Sequence, residues 1–208
     1  MIAIYKLIKL DKKQAKSKYD LVTEIENRWS PRSFSSKEIT DDELKTLFDA
    51  ARWAASSNNY QPWRFMWARN GSEGWDKIFK CLAEFNQNWI SAGKPKILVL
   101  AAYKKKFDNG KENFHALHDL GLAVGNLSIQ AQSMNIGIHQ MAGVDWKKAH
   151  QVFDIPDGYH IATAIAIGHY GGDPSVLSED LEKSEKGERS RKSIEEILTE
   201  GKFDLDQS

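Results

Sequence analysis

Apolar runs set among amphipathic segments place this 208-residue chain in the α+β or mixed α/β class, in one domain. Two observations carry that reading. Residues 96–102 and 162–168 are apolar at nearly every successive position, as strands covered on both faces are. Residues 114–135 instead space Leu117, Leu120, Val124, Leu127, Ala131 and Met134 three and four apart, the period of a helix with one apolar face.

The remaining elements follow in chain order. Residues 1–17 form a lysine-rich extension, and Leu21, Val22 and Ile25 predict a helix from about Lys18. Thr40 with Glu43 three places on reads as a capping box, opening a helix with Leu44, Leu47, Phe48, Ala51 and Ala55 on one face. The octet Ser56-Ser57-Asn58-Asn59-Tyr60-Gln61-Pro62-Trp63 leads into a strand at 64–68. Ser72 caps a helix carrying Trp75, Ile78, Phe79, Leu82 and Phe85, which puts Cys81 in mid-helix. A polar loop spans 103–114, and the long helix that follows has a second, small-residue face of Gly121, Gly125 and Ser128. Glycine weakens a helix, so two there point to close approach by another backbone. A short strand and turn occupy 137–143, Asp145 caps a helix through Phe153, and Pro156 ends it. The polar tail from Gly171 carries a last helix at 193–199. There is no internal repeat and no low-complexity linker.

Bulk composition removes several classes. Lys and Arg total 29 and so do Asp and Glu, so no overall charge draws the chain to nucleic acid or an anionic membrane. The longest apolar run, Ile97 to Tyr103, is far too short to span a bilayer. No long apolar core follows the early lysines, which argues against a secretory signal. Cys81 is the only cysteine, excluding an intrachain disulfide and fitting a reducing, cytoplasmic setting. Seven tryptophans are many for this length and serve either the core or a ligand or subunit surface.

The chemistry narrows by elimination. His115 and His118 lie three apart, but no third ligand has matching spacing, so no metal site is expected. No serine sits in a nucleophile elbow, and no Gly-x-Gly-x-x-Gly or Walker loop is present. Three polar clusters and one glycine turn remain. Arg28, Ser30 and Arg32 are either surface residues before a helix or a grip for a phosphate, which guanidiniums hold in a planar fork. The octet is either an ordinary turn or a surface that hydrogen-bonds a planar, heteroatom-rich ligand. Arg189-Ser190-Arg191-Lys192 is a basic run, solvated or functional. Gln140-Met141-Ala142-Gly143 follows a strand, where glycine admits a ligand edge close to the backbone.

Taken in order, these pieces resemble the nitroreductase family of FMN-dependent oxidoreductases. The resemblance runs from Arg28-x-Ser30-x-Arg32 through Ser56-Ser57-x-Asn59-x-Gln61-Pro62-Trp63 and Asp119-Leu120-Gly121-Leu122-Ala123 with Asn126-Leu127. It continues in Gln140-Met141-Ala142-Gly143-Val144, Ala166-Ile167-Gly168, and Arg189-Ser190-Arg191-Lys192 followed by Ile194-Glu195-Glu196-Ile197, covering roughly residues 24–200.

The resemblance implies a three-layer α+β fold, with a mixed, mainly antiparallel central sheet flanked by helices. It implies a homodimer with FMN in the interface and the C-terminal segment, 171–208, packed on the partner. Arg28, Ser30, Arg189 and Arg191 match positions that hold the FMN phosphate, and Arg32 a basic position near the flavin pyrimidine. Ser56, Ser57 and Asn59 match positions that reach the other subunit's flavin, and Gln140 to Gly143 the segment whose backbone faces N5. Trp29 replaces a common arginine or histidine, with an indole that suits the ribityl chain. Ala142 replaces a common glutamate or glycine, so only its backbone carries over. A further contact is expected near Asn86-Gln87-Asn88. NADH or NADPH would be the reductant, and nitroaromatics, quinones or similar electrophiles the acceptors. The flavin carries the chemistry, so no protein acid–base pair is expected. The short 103–114 loop implies an open pocket where Phe107 and Phe114 stack on an aromatic substrate, or Phe114 packs on the helix. A specialised relative (dehalogenase, enoyl or imine reductase) or a non-turnover FMN sensor or store shares the same motifs.

Overall fold

The computed structural model of the chain describes residues 13–201. Residues 1–12 of the expected N-terminal extension and 202–208 of the C-terminal segment lie outside them. The elements are α1 (Thr23–Asn27), α2 (Asp41–Arg52), a 3-10 turn (Ser57–Asn59), β1 (Trp63–Arg69), α3 (Glu73–Lys80), α4 (Glu84–Gly93) and β2 (Ile97–Lys104). They continue with α5 (Ala116–Ser133), β3 (Ile136–Met141), α6 (Trp146–Val152), β4 (Tyr159–His169), a second 3-10 turn (Pro174–Val176) and α7 (Glu179–Lys186).

The four strands form one sheet in the order β1-β2-β4-β3, and all three pairings are antiparallel. Side chains alternate along β2. Ile97, Val99 and Ala101 join a core with Leu44, Leu47 and Ala51 of α2 and Leu120, Val124 and Leu127 of α5. Leu98, Leu100 and Ala102 join a second core with Trp75 and Ile78 of α3, Trp89 and Ile90 of α4, and Ala149 of α6. The sheet is therefore the middle of three layers. That explains why β2 and β4 read as unbroken apolar runs although antiparallel sheets often wet one face. The Thr40–Glu43 capping box is present, with both reciprocal hydrogen bonds.

Several elements depart from the sequence reading. The helix expected from Lys18 is only α1, and it buries nothing: Leu21, Val22 and Ile25 are exposed. The single helix expected after Ser72 is two helices. It breaks at Cys81, which is the buried C-cap of α3 rather than a mid-helix residue, and Leu82 bridges Val144. Phe85, expected on that helix's apolar face, is exposed on α4. The helix at 193–199 is absent; one turn remains, with Leu198 N–H donating to the Ile194 carbonyl. The helix lies earlier, as α7. On α5 the buried face runs through Ala116, Leu120, Ala123, Val124, Leu127 and Ala131, whereas Leu117 is exposed.

Candidate active site

Arg28 leaves α1 in extended conformation, and the chain then runs as a strap over one face of β3 and β4. Space for it comes from missing side chains. A Cβ on Gly137 would stand 2.5 Å from the Pro31 ring, and one on Gly93 would lie 1.7 Å from the Arg32 carbonyl oxygen. Phe34 N–H donates to the Gly93 carbonyl at 3.0 Å and Ser35 N–H to that of His169 at 2.9 Å. The Trp29 indole stacks on the Tyr170 ring, centroids 5.8 Å apart, and the Tyr170 hydroxyl donates to the Trp29 carbonyl at 3.2 Å. Burial pushes that phenol up to about 12, so it stays a donor at any ordinary pH. Lys13 lies over the other ring system of the stack, 4.8 Å from the Trp29 centroid.

Residues far apart in sequence meet on this strap. Arg28 Nη1 donates to Ser30 Oγ at 3.4 Å. Arg189, brought back by the segment after α7, donates to the Arg28 carbonyl and, at 2.6 Å, to that of Glu26. Burial, then the neighbouring Arg28 and Arg191 guanidiniums, depress the Arg189 pKa. Three like charges gathered at a half-covered surface make an anion-seeking patch. Arg28, Ser30 and Arg189 are thus brought together, with exposed Arg191 two residues on from Arg189.

Arg32 faces a different environment. Its guanidinium is 4.0 Å from the buried Glu185 carboxylate of α7, whose Oε1 accepts the backbone N–H groups of Arg32 (2.8 Å) and Ser33 (3.1 Å). Beside it, His139 on β3 hydrogen-bonds the Pro31 carbonyl through Nδ1 at 3.0 Å and packs 4.8 Å from the Trp89 ring. Burial first, then Arg32, pulls the His139 pKa down to about 4, so the imidazole is neutral at pH 7.

At the end of β3, Gln140 and Ala142 are exposed and Met141 is buried. Gly143 packs against α4. Its carbonyl accepts from Ala83 N–H at 2.9 Å and from Asn86 Nδ2 at 3.0 Å, and a Cβ there would lie 2.6 Å from Asn86 Nδ2. The glycine is explained by packing on α4, and its carbonyl is already taken. Asn86, near the expected further contact, is buried and also accepts from Trp89 Nε1 at 3.0 Å, so it props the turn from behind.

The octet is elsewhere. It forms a tight turn with Asn58, Asn59 and Gln61 at positive φ. Ser57 N–H donates to the buried Asp119 carboxylate at 3.1 Å, and Ser56 Oγ accepts from Gln61 N–H at 3.0 Å. Ser56, Ser57, His115, His118 and Asp119 line a shallow recess of about 290 Å³. The octet precedes β1, at one edge of the sheet, while the arginine strap lies over β3 and β4, toward the other. Three inter-strand spacings of about 4.8 Å put the edges roughly 14 Å apart. One chain does not bring the two polar surfaces together. Nearby, Phe107 packs edge-on against Tyr60 at 4.9 Å, and the Tyr60 hydroxyl donates to Asp108 at 2.8 Å. Phe114 is 88% exposed, which overturns the expectation that it packs on the helix. His115 sits at the N-cap of α5 and His118 Nδ1 lies 3.4 Å from an Asp119 carboxylate oxygen; among the described residues no group of ligands suits a metal.

The sequence reading gives no role to His139, Asp119, Tyr170 or Glu185. Asp119 carried a signal, a carboxylate on the buried face of an otherwise apolar helix. The others become visible only once strands and tail are docked.

A three-layer α+β protein with an anion-seeking arginine patch over the β3 side of its sheet is the class that fold and site define. Residues 25–91 and 82–169 match the nitroreductase family, and the chain belongs to it. It is 26% identical to the major NAD(P)H-flavin oxidoreductase of Aliivibrio fischeri, over 87% of this chain and 98% of that one. Its fold superposes on the crystal structure of an FMN-containing oxidoreductase with a TM-score of 0.84, at 32% identity, covering 91% of this chain and 96% of that one. A nitroreductase family protein from Clostridium difficile 630, 19% identical, shares the fold at a TM-score of 0.68, covering 89% of this chain and all of that one. Among the described residues no helix is long and apolar enough to cross a membrane.

Proposed function

We propose that the chain is an FMN-dependent oxidoreductase that takes electrons from NADH or NADPH and passes them to nitroaromatics, quinones or similar electrophiles. The observation that carries this is the meeting of Arg189, with Arg191 beside it in sequence, and the strap that carries Arg28, Ser30 and Arg32. The relatives named above, an NAD(P)H-flavin oxidoreductase and an FMN-containing oxidoreductase, support the choice of cofactor.

The residues present fit FMN. The guanidinium patch with Ser30 supplies fixed positive charge and forked donors for a phosphate monoester. Trp29, held between Tyr170 and Lys13, offers an indole edge for a ribityl chain. Arg32, with a buried Nε lacking a hydrogen-bond partner among the described residues, suits the pyrimidine edge. Exposed Gln140 and Ala142, with Met141 and Gly143, line the end of β3 where the ring would end. Bound FMN supplies hydride acceptance and donation. The protein's part is to hold the phosphate, orient the ring and place positive charge where negative charge grows. Reductant and acceptor would use the same open pocket in turn, with Phe107 and Phe114 at its rim.

The reading includes a homodimer. Ser56, Ser57 and Asn59 would serve the partner's flavin, which fits their place on the sheet edge opposite the strap. Surface for a partner is available: Ile197 and Leu198 are 67% exposed, and an apolar groove of about 610 Å³ beside β1 is lined by Phe48, Trp63, Phe65 and Trp67. Residues 171–189 pack on their own chain, which corrects the placement of that whole segment on the partner, so we place only the exposed stretch from 193 onward there, within a single domain. Purified protein should be yellow or take up FMN, and should oxidise NADH or NADPH with added quinone or nitroaromatic. FMN uptake without turnover on any acceptor would favour a flavin store or sensor, and no uptake would sink the assignment.

A further inference from the structure

The guanidiniums of the strap differ in their partners. Those of Arg28 and Arg189 run to hydroxyl and carbonyl oxygens, whereas Arg32 faces a carboxylate. That carboxylate is unusual. Glu185 is 4% exposed on a helix whose other residues are almost all polar and outward. Its Oε1 accepts three donors: Arg32 N–H, Ser33 N–H and, at 3.4 Å, Ser33 Oγ. Its Oε2 has no hydrogen-bond partner among the described residues, and neither has Arg32 Nε, so the two side chains face each other without a formed bond. Lys13 reaches the same corner, donating to the Ser184 carbonyl at 3.0 Å.

Burying a carboxylate without full satisfaction is costly, and replacing such a group by an apolar one is often neutral or stabilising. Stability alone does not account for Glu185. The charge bookkeeping gives it a use. The phosphate keeps its charge through a redox cycle and calls for an uncompensated patch. The ring gains negative charge on reduction, and an uncompensated arginine beside it would hold the reduced form too well to release electrons.

We propose that Glu185 is a positioning residue for Arg32: it fixes the backbone of Arg32 and Ser33 and offsets part of the guanidinium charge, lowering the preference for reduced over oxidised FMN. This rests on the flavin reading above. Burial raises the Glu185 pKa against the pull of those backbone donors, Arg32 and Lys13, so its negative charge is kept at a cost to the fold rather than for cohesion.

The test is a redox titration of FMN bound to the wild type, Glu185→Gln, Glu185→Asp, Arg32→Met and the Arg32→Met/Glu185→Gln double variant, with FMN affinity measured in the oxidised state. Glu185→Gln keeps the shape and the backbone acceptor but loses the charge. It should tighten reduced relative to oxidised FMN about tenfold, a rise of about 30 mV for a two-electron couple. Glu185→Asp withdraws the charge by one methylene and should shift the potential the same way by less, so either variant that folds decides the matter. In the Arg32→Met background the Glu185→Gln shift should vanish. An unchanged potential, or an equal shift without Arg32, overturns the proposal and leaves the flavin reading intact. Failure of the wild type to bind FMN overturns both.

Discussion

Arg189 donates to the main-chain carbonyl of Arg28, 161 residues earlier, so the C-terminal segment closes the N-terminal strap with a charged fork. The same side chain then serves two ends, since it also bonds the Glu26 carbonyl and adds charge to the patch. Charge-assisted hydrogen bonds contribute about 1.5–3 kcal/mol each. Arg189→Ala should therefore weaken FMN roughly 10- to 100-fold in a fluorescence-quenching titration. Raised salt should narrow that difference, because screening weakens exposed charge.

Arg32→Ala removes the cation assigned to the pyrimidine edge. FMN should bind less tightly, and the potential should fall by about 30–60 mV if about 1.5–3 kcal/mol of preference for the reduced form is lost. Full flavin occupancy with a wild-type potential would remove Arg32 from that role.

The two arginine clusters, the octet and the long helix were legible because each is a local pattern: spacing, charge or period. Their placement was not. That Arg189 reaches Arg28 depends on α7, whose sequence shows no apolar stripe because only Leu181, Glu182 and Glu185 turn inward to any extent. Glu185 read as one more acid in a polar tail. α4 was hidden for the same reason, since Asn86 is buried on hydrogen bonds rather than apolarity. Gly143 was assigned to a ligand edge, whereas the nearest atoms that exclude a side chain belong to Asn86 and Ala83, 57 and 60 residues away in sequence. Periodicity finds faces that bury hydrocarbon, and these positions bury polar groups.

His139 gives the fold an acid limb. Its folded pKa is about 4 against an ordinary 6.5. Above 6.5 both states are neutral and pH has no effect through this group. As pH falls from 6.5 to 4, the unfolded chain takes up a proton that the folded chain refuses, so stability is lost across that window, by at most about 3 kcal/mol. Denaturant unfolding at pH 7 and pH 5 should show the loss, and His139→Gln should flatten it.

A substitution at Gly125 tests the proposed dimer against a monomer. A Cβ at Gly121 or Gly125 meets no atom within 4 Å, so nothing in the chain itself requires glycine on that face of α5. Glycine costs a helix about 0.8–1 kcal/mol relative to alanine. In a monomer, Gly125→Leu would restore most of that helix propensity and melt higher with its flavin site intact. In the proposed dimer the new side chain stands where a second backbone packs. The variant should sediment at half the wild-type mass, and FMN uptake should fall with it, because the partner's octet is carried off. Adding FMN should raise the wild-type melting temperature by mass action and leave that of the variant unmoved. A variant that stays flavin-replete and melts higher would return Ser56, Ser57 and Asn59 to the status of an ordinary turn.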